Sequence, residues 1–227
     1  RATQDMFLDD GKPIPEASQV GPLAVGVPGA LAAYETAWRL AGRADWSALF
    51  AEPIRLSRDG FTISNNYAER IRSKARWLAR YEGSREVLLD QTGLPRRAGT
   101  LLIQSDLSQT LTGIRDGGID YFYRGPTAKR IAEWMSNNGG LLTMRDFRTY
   151  RARMREPVMS SYRGYSIVGF PPPSSGGVHV AQMLNMLERY DLAKIYTRDR
   201  AQFTHIVTES MKLAFADRAY WLGDPAF

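Results

Sequence analysis

The densest run of chemically usable groups is Pro171-Pro172-Pro173-Ser174-Ser175-Gly176-Gly177, which joins a strand-like segment to a helix-like one. Three prolines hold a chain extended and withhold backbone donors. Two serines offer oxygens that can cap the N–H groups opening the next helix. Two glycines permit a sharp turn or the close approach of another group. The N–H groups at a helix start can also hold an anion. The same residues describe a rigid, capped turn inside a packed interface, and on physics alone that reading is preferred.

Other candidate groups are sparser. His179 and His205 each fall on a helix-like segment and read as core or surface hydrogen-bonding residues before ligands or bases. Asp5, Asp9 and Asp10 lie close together but lack metal-ligand spacing, so they read as solvated. Glu209, Asp217 and Asp224 read as caps and ion-pair partners. The absence of cysteine excludes a disulfide framework, a cysteine nucleophile and thiolate zinc sites, and two histidines are too few for a histidine-rich metal site. No nucleophile elbow of the G-x-S-x-G type is present, nor a phosphate-binding glycine loop.

With 30 basic against 24 acidic residues the net charge is +6, and much of the excess is local. Arg70, Arg72, Lys74, Arg76 and Arg80 form one basic run. Arg145, Arg148, Arg151, Arg153 and Arg155 form another, with Phe147 and Tyr150 interleaved. Phosphate contacts with stacking aromatics are one reading. Solvated faces with the aromatics turned inward are the other, favoured because no nucleic-acid motif accompanies the charge.

The elements that must position these groups are mostly helical. At 227 residues, 44% hydrophobic and 24% charged, the chain can bury a substantial core. No apolar run approaches the roughly 18–20 residues of a membrane span. The chain opens at Arg1 without an initiator Met or a signal-peptide pattern, which leaves room for sequence upstream. Residues 1–22 are a loop-rich lead-in punctuated by proline. Residues 23–155 read as mainly helical. A short strand is expected over Leu23–Val27, then a helix over Ala30–Leu40 ending near Gly42, with Pro28 at a first helical position. Asp45, Ser64, Ser105 and Thr143 are expected N-caps, and Gly125-Pro126 opens a further helix. Burial is expected for Leu107, Leu111 and Ile114, and for Ala128, Ile131, Trp134 and Met135. Residues 156–227 read as a hairpin turning at Arg163-Gly164, the proline-serine-glycine turn and two helices, from about Val178 to Tyr190 and Arg200 to Trp221. Val180, Met183, Leu184 and Leu187, then Phe203, Ile206, Val207, Leu213 and Ala214, are expected to face inward. About eight helices and a few short strands result, too few strands to close a sheet.

Several long stretches in register resemble one known family. Val25–Glu35, Phe122–Ala132, Gly140–Val158, Tyr162–Glu188 and Leu213–Phe227 look like the large subunit of γ-glutamyltranspeptidases, and Ala2–Asp10 looks like that family's stretch soon after its substrate-binding arginine. The resemblance implies an α+β fold: the helix-rich part of an αββα N-terminal-nucleophile hydrolase, incomplete in this chain. It implies a precursor that cleaves itself, and a small subunit from the same precursor whose new N-terminal Thr is the nucleophile. It implies a γ-glutamyl donor such as glutathione, an amino acid, peptide or water as acceptor, and no metal or organic cofactor. Neither nucleic acid nor a membrane span is implied, and relatives suggest a periplasmic or secreted location.

The resemblance also implies that the chain stops at Phe227, short of the cleavage site, and that the donor-binding arginine lies upstream of Arg1. No position here then matches a catalytic, substrate-binding or metal-binding residue of the family. Ser174, Ser175, Gly176 and Gly177 carry over only as a turn close to the shared core. A related acylase or amidohydrolase, of the cephalosporin acylase or oxamate hydrolase type, is the alternative within that shape. A non-catalytic binding module using the basic runs is the alternative outside it.

Overall fold

The computed structural model describes residues 2–225, so Arg1 lies outside the described residues. The chain divides into two compact units, Arg1–Ala152 and Arg153–Phe227. Helices dominate both among the described residues, and each sheet has two strands.

The first unit opens with a small hairpin, β1 (Leu8–Asp9) and β2 (Lys12–Pro13), turned by Asp10 and Gly11 at positive φ. Asp10 is therefore a turn residue, the asparagine-like, left-handed-tolerant chemistry of a tight hairpin. The strand expected over Leu23–Val27 is absent: Pro22–Ala24 is a single 3-10 turn followed by irregular chain. Helix α1 spans Ala30–Ala41 with Gly29 at its N-cap, so Pro28 sits just before the helix and not at its first position. Its capping comes from elsewhere. The Tyr123 hydroxyl accepts the Ala32 N–H at 3.2 Å and donates to the Pro28 carbonyl at 2.6 Å. Burial pushes that phenol's pKa up.

A 3-10 turn, Ser47–Phe50, leads into α2 (Ala51–Asp59), which Gly60 stops with φ +86°. Asp45 does not cap this passage; Trp46 holds the N-cap position with no side-chain bond. Strand β3 (Phe61–Thr62) pairs with β4 (Leu101–Leu102) across α3 (Asn65–Leu78) and α4 (Glu82–Leu88). The Ser64 hydroxyl caps α3 by accepting the Tyr67 N–H at 3.2 Å. Helix α5 (Ser105–Gly117) follows with Gln104 at the N-cap, so Ser105 is its first residue rather than its cap. Then come α6 (Asp120–Tyr123), α7 (Pro126–Asn137) with Pro126 at the first position, and α8 (Met144–Thr149). Thr143 and Asp146 form a capping box: the Thr143 hydroxyl and N–H both donate to the Asp146 carboxylate, at 2.7 and 2.8 Å.

Three clusters of buried side chains hold this unit. Ala32, Tyr123, Ala128 and Phe147 form one, Ile63, Ile71, Leu89 and Leu102 a second, and Phe50, Ile54 and Ile114 a third. Ile114 and Met135 are buried as their spacing predicts, whereas Leu107 and Trp134 are exposed. The apolar stripes on α5 and α7 are thus wider than the faces the neighbouring helices cover.

The second unit starts with the hairpin β5 (Val158–Tyr162) and β6 (Tyr165–Gly169), antiparallel with Met159 opposite Val168 and Ser160 opposite Ile167. Arg163 and Gly164 turn it, both at positive φ. The strained Arg163 is held by residues 188–190: its N–H donates to Glu188 Oε1 at 2.7 Å and its Nη2 to the Tyr190 carbonyl at 2.8 Å. Helix α9 spans Gly176–Leu187, two residues earlier than the sequence suggests, and packs on the hairpin and on α11 (Arg200–Trp221). Between them lies α10 (Leu192–Arg198), too short for its periodicity to show. Asp191 caps α10 through the Lys194 N–H at 3.1 Å, and Asp199 caps α11 through the Gln202 N–H at 3.0 Å. Ala214 is buried, but Val180 and Leu213, expected inside, are exposed.

Candidate functional site

The proline-serine-glycine passage is a turn, not the extended rod its three prolines suggest. The Ser174 N–H donates to the Pro171 carbonyl at 3.1 Å, and the Pro172–Pro173 bond is cis. Neither serine caps α9 with its side chain; Ser175 occupies the N-cap position in helical conformation. Its hydroxyl instead accepts Arg218 Nε from α11 at 3.1 Å.

The two glycines do different work. Neither needs a positive φ. A Cβ on Gly177 would stand 2.3 Å from the Phe170 carbonyl oxygen and 2.9 Å from the Gly169 carbonyl carbon. A Cβ on Gly169 would stand 2.6 Å from the Gly177 Cα. Helix α9 therefore lies backbone to backbone on the end of β6, an approach only a hydrogen at Cα allows. Gly176 has nothing nearer than Ser174 Oγ at 3.8 Å.

His179, one turn into α9, is buried. Its Nδ1 contacts the Ser175 carbonyl, and because a carbonyl only accepts, Nδ1 carries the proton. The ring stacks against Phe215 of α11, centroids 6.1 Å apart. Further along, Gln182 donates to Asp217, so Asp217 and Arg218, adjacent on α11, both tie α9 and its turn to that helix. These partners lie 35 and 43 residues away in sequence, and no local pattern announces them.

Between α9 and α11 runs an open groove of about 950 Å³. His179, Gln182 and Asn185 line it from α9, and His205, Glu209 and Asp217 from α11. His205 is exposed. Glu209 pairs with Lys212 at 2.8 Å, and that hydrogen bond holds its carboxyl below the ordinary glutamate range. Asp224 pairs with Arg155 at 3.4 Å. Glu209 and Asp224 thus act as ion-pair partners and Asp217 as a hydrogen-bond acceptor, and none of the three caps a helix. No group of three or more metal-ligating side chains occurs among the described residues, and Asp5, Asp9 and Asp10 form none.

The chemistry of this arrangement is limited. The one hydrogen-bond partner of the Ser175 hydroxyl among the described residues is a guanidinium, which cannot take a proton. An activated serine needs a base in that place. The basic runs are equally quiet. Arg72 pairs with Glu69, Arg80 with Glu16, and Lys74 and Arg76 each stand 4.4 Å from the Trp77 ring. Phe147 is fully buried and Tyr150 stacks on Tyr123, so the interleaved aromatics face the core.

The sequence model of the family described as Gamma-glutamyltranspeptidase matches residues 1–227. The chain belongs to the gamma-glutamyltranspeptidase family. It is 38% identical over 229 residues to the glutathione hydrolase proenzyme of Escherichia coli (strain K12), covering 100% of this chain and 39% of that protein. It is 40% identical over 208 residues to the acylase ACY 1 proenzyme of Pseudomonas sp. (strain V22), covering 92% of this chain and 37% of that protein. The crystal structure of Helicobacter pylori gamma-glutamyltranspeptidase superposes with a TM-score of 0.95 at 38% identity, over 100% of this chain and 65% of that one. The chain thus spans about two fifths of the length of the curated relatives it matches, 39% in the first case. The helix-rich architecture with small sheets is similar to the part of the gamma-glutamyltranspeptidase structure that it matches.

Proposed function

We propose that residues 1–227 are the large-subunit part of a γ-glutamyltransferase, or glutathione hydrolase, and act as scaffold for a reactive centre carried by other parts of the protein. The match to the family along the whole chain carries this reading. The lack of a base at Ser175 supports it. So does the unfinished β-layer: Met159, Val168 and Phe170 present an exposed apolar face on a hairpin with no third strand among the described residues. A two-stranded hairpin is marginal alone, and its natural complement is further sheet. On this reading the hairpin belongs to an αββα core shared with a small subunit cut from the same precursor. The turn Ser174–Gly177 lies close to that core, fixed by Gly169 and Arg218, and touches no substrate.

The chemistry follows from the nucleophile that such a small subunit exposes. An N-terminal Thr hydroxyl is activated by its own α-amine, which takes the hydroxyl proton. The oxygen attacks the γ-glutamyl carbonyl, and backbone N–H groups stabilise the oxyanion. The amide C–N bond breaks, the amine leaves with the proton, and a γ-glutamyl ester remains on the Thr. Water or the amine of an amino acid or peptide then takes the acyl group. No cofactor is needed for either step. Glutathione is the proposed donor, and the proposed location is periplasmic or secreted. No helix of the described residues is long and apolar enough to cross a membrane.

The test is the release of the free aniline from a γ-glutamyl anilide by the full-length protein, with intact mass recording cleavage into two subunits. Activity together with a new N-terminal Thr is the expected result. Aniline release by residues 1–227 alone would overturn the scaffold role. A second reading, an acylase, has a specific support in the 40% identity to the ACY 1 proenzyme. Turnover of an acylated cephalosporin with none of the γ-glutamyl anilide would select it.

A further inference from the structure

A second cavity, of about 500 Å³, lies within the first unit beside α1, the junction of α5 and α6, and the segment after α8. Three arginines line it: Arg39, Arg124 and Arg151. Two carboxylates share the lining, and each is already matched on its own helix. Glu35 pairs with Arg39 at 2.9 Å, and Asp120 pairs with Arg124 at 3.1 Å. Arg151 has no carboxylate partner among the described residues. Its Nη1 donates to the Arg148 carbonyl at 2.9 Å and the Tyr150 carbonyl at 2.6 Å. Those two bonds use the hydrogens of one nitrogen, fix the plane of the guanidinium and leave Nε and Nη2 as donors. Tyr123 and Tyr150, which also line the cavity, stack 5.9 Å apart at 9° and form a stiff wall.

The charge balance of this lining is one cation in excess: three guanidinium groups against two carboxylates. A pre-oriented guanidinium with free N–H groups matches the oxygens of a carboxylate or phosphate. We propose that this cavity binds a small oxyanion, a carboxylate or phosphate, with Arg151 as the principal contact and Arg39 and Arg124 as flanking donors. The competing explanation is purely structural: the arginines neutralise their local carboxylates and the carbonyl end of α5 at Gly117. In that case no added anion has a place among them.

The two explanations separate on titration of the full-length protein with inorganic phosphate and with acetate, at constant ionic strength in chloride. Phosphorus-31 line width and the unfolding midpoint are the readouts. Saturable binding is expected, weakened about tenfold in Arg151→Gln and less in Arg151→Lys, since one charge-assisted contact is lost or replaced. Glu35→Gln is expected to tighten binding, because it releases Arg39 toward the anion. Saturation by phosphate alone assigns a phosphate site, and saturation by acetate as well assigns a carboxylate-accepting one. Chloride acting as well as either probe, or an affinity unchanged in both Arg151→Gln and Glu35→Gln, overturns the proposal. Should Arg151→Gln fail to fold, Arg151→Lys and Glu35→Gln decide it.

Discussion

The two units bury their side chains in different ways. In the first, all three apolar clusters are closed, and Phe147, Leu102, Leu89 and Ile63 are each 2% exposed or less. In the second, the buried residues among those described are Gly177, His179, Ser210 and Ala214, none of them a large aliphatic or aromatic hydrophobe. Its large apolar side chains stand outside instead: Phe170 is 79% exposed, Trp221 74% and Val168 64%. Complete burial of one such side chain contributes about 1.5–3 kcal/mol. The first unit collects that contribution several times over and the second almost never. The first unit is therefore built to stand on its own contacts. The second is held by backbone contact and polar ties, and its apolar surface fits cover supplied by other protein, as the proposed shared core requires.

The largest effect that tests this contrast is Phe147→Ala. It empties the centre of a closed cluster and should destabilise the first unit by about 3–5 kcal/mol. Urea unfolding followed by tryptophan fluorescence measures it, since Trp38, Trp46, Trp77 and Trp134 all report on that unit. A loss near zero would mean the first unit is no better packed than the second.

Next in size is a paired substitution at the turn. Gly177→Ala places a methyl 2.3 Å from the Phe170 carbonyl oxygen and must push α9 off β6. Overpacking of this kind costs about 1–3 kcal/mol. Gly176→Ala meets only Ser174 Oγ at 3.8 Å and exchanges a helical glycine for alanine, so it should be neutral or stabilising. Thermal unfolding of both variants in the full-length protein checks the sign. Equal losses would remove backbone contact as the tie that holds the second unit.

How much of this was legible in the sequence depends on how local the cause is. The long helix α11 and the hairpin turning at Arg163-Gly164 follow from periodicity and turn chemistry within a few residues. The caps by Ser64 and Thr143 are local too. Helices α4, α6 and α10 have seven, four and seven residues, too few turns for an amphipathic pattern to register. The helix over Ala30–Leu40 is legible, but Pro28 does not open it as residue type suggests, because the tie at that end is Tyr123, whose hydroxyl reaches it across 91 residues. At the turn, the pair Gly176-Gly177 signals close approach, but which glycine is approached, and by Gly169, emerges only from the packing. The serines read as caps by residue type; Arg218 takes the Ser175 hydroxyl for another purpose.

A smaller effect sharpens the first unit's side of the contrast. Thr143→Ala removes one donor of the capping box and should cost about 1 kcal/mol. The Thr143 hydroxyl, and after it the Thr143 N–H, hold the Asp146 carboxyl below the ordinary aspartate range. A carboxyl lowered by folding adds stability above its unfolded pKa, and that stability is lost as pH falls through the folded value. The variant should therefore lose most against the parent at neutral pH and converge with it in acid, below about pH 4. A difference that grows as the pH falls would contradict the box.

The smallest effect is on the hairpin, and it bears most directly on what covers the second unit. Val168 faces outward opposite Met159 and has little to lose in residues 1–227 studied alone. Val168→Ser should shift the stability of that chain by less than about 0.5 kcal/mol, as exposed substitutions do. In the full-length protein, where the proposed shared core would bury this face, the same substitution should cost about 1–2 kcal/mol, the loss of an apolar side chain with a hydroxyl left to satisfy. The quantity to compare is the difference between the two measurements, because helix content, strand propensity and the unfolded state are common to both. A difference near zero means the face stays in water in the whole protein, and the hairpin then cannot be the open edge of a sheet completed by a small subunit.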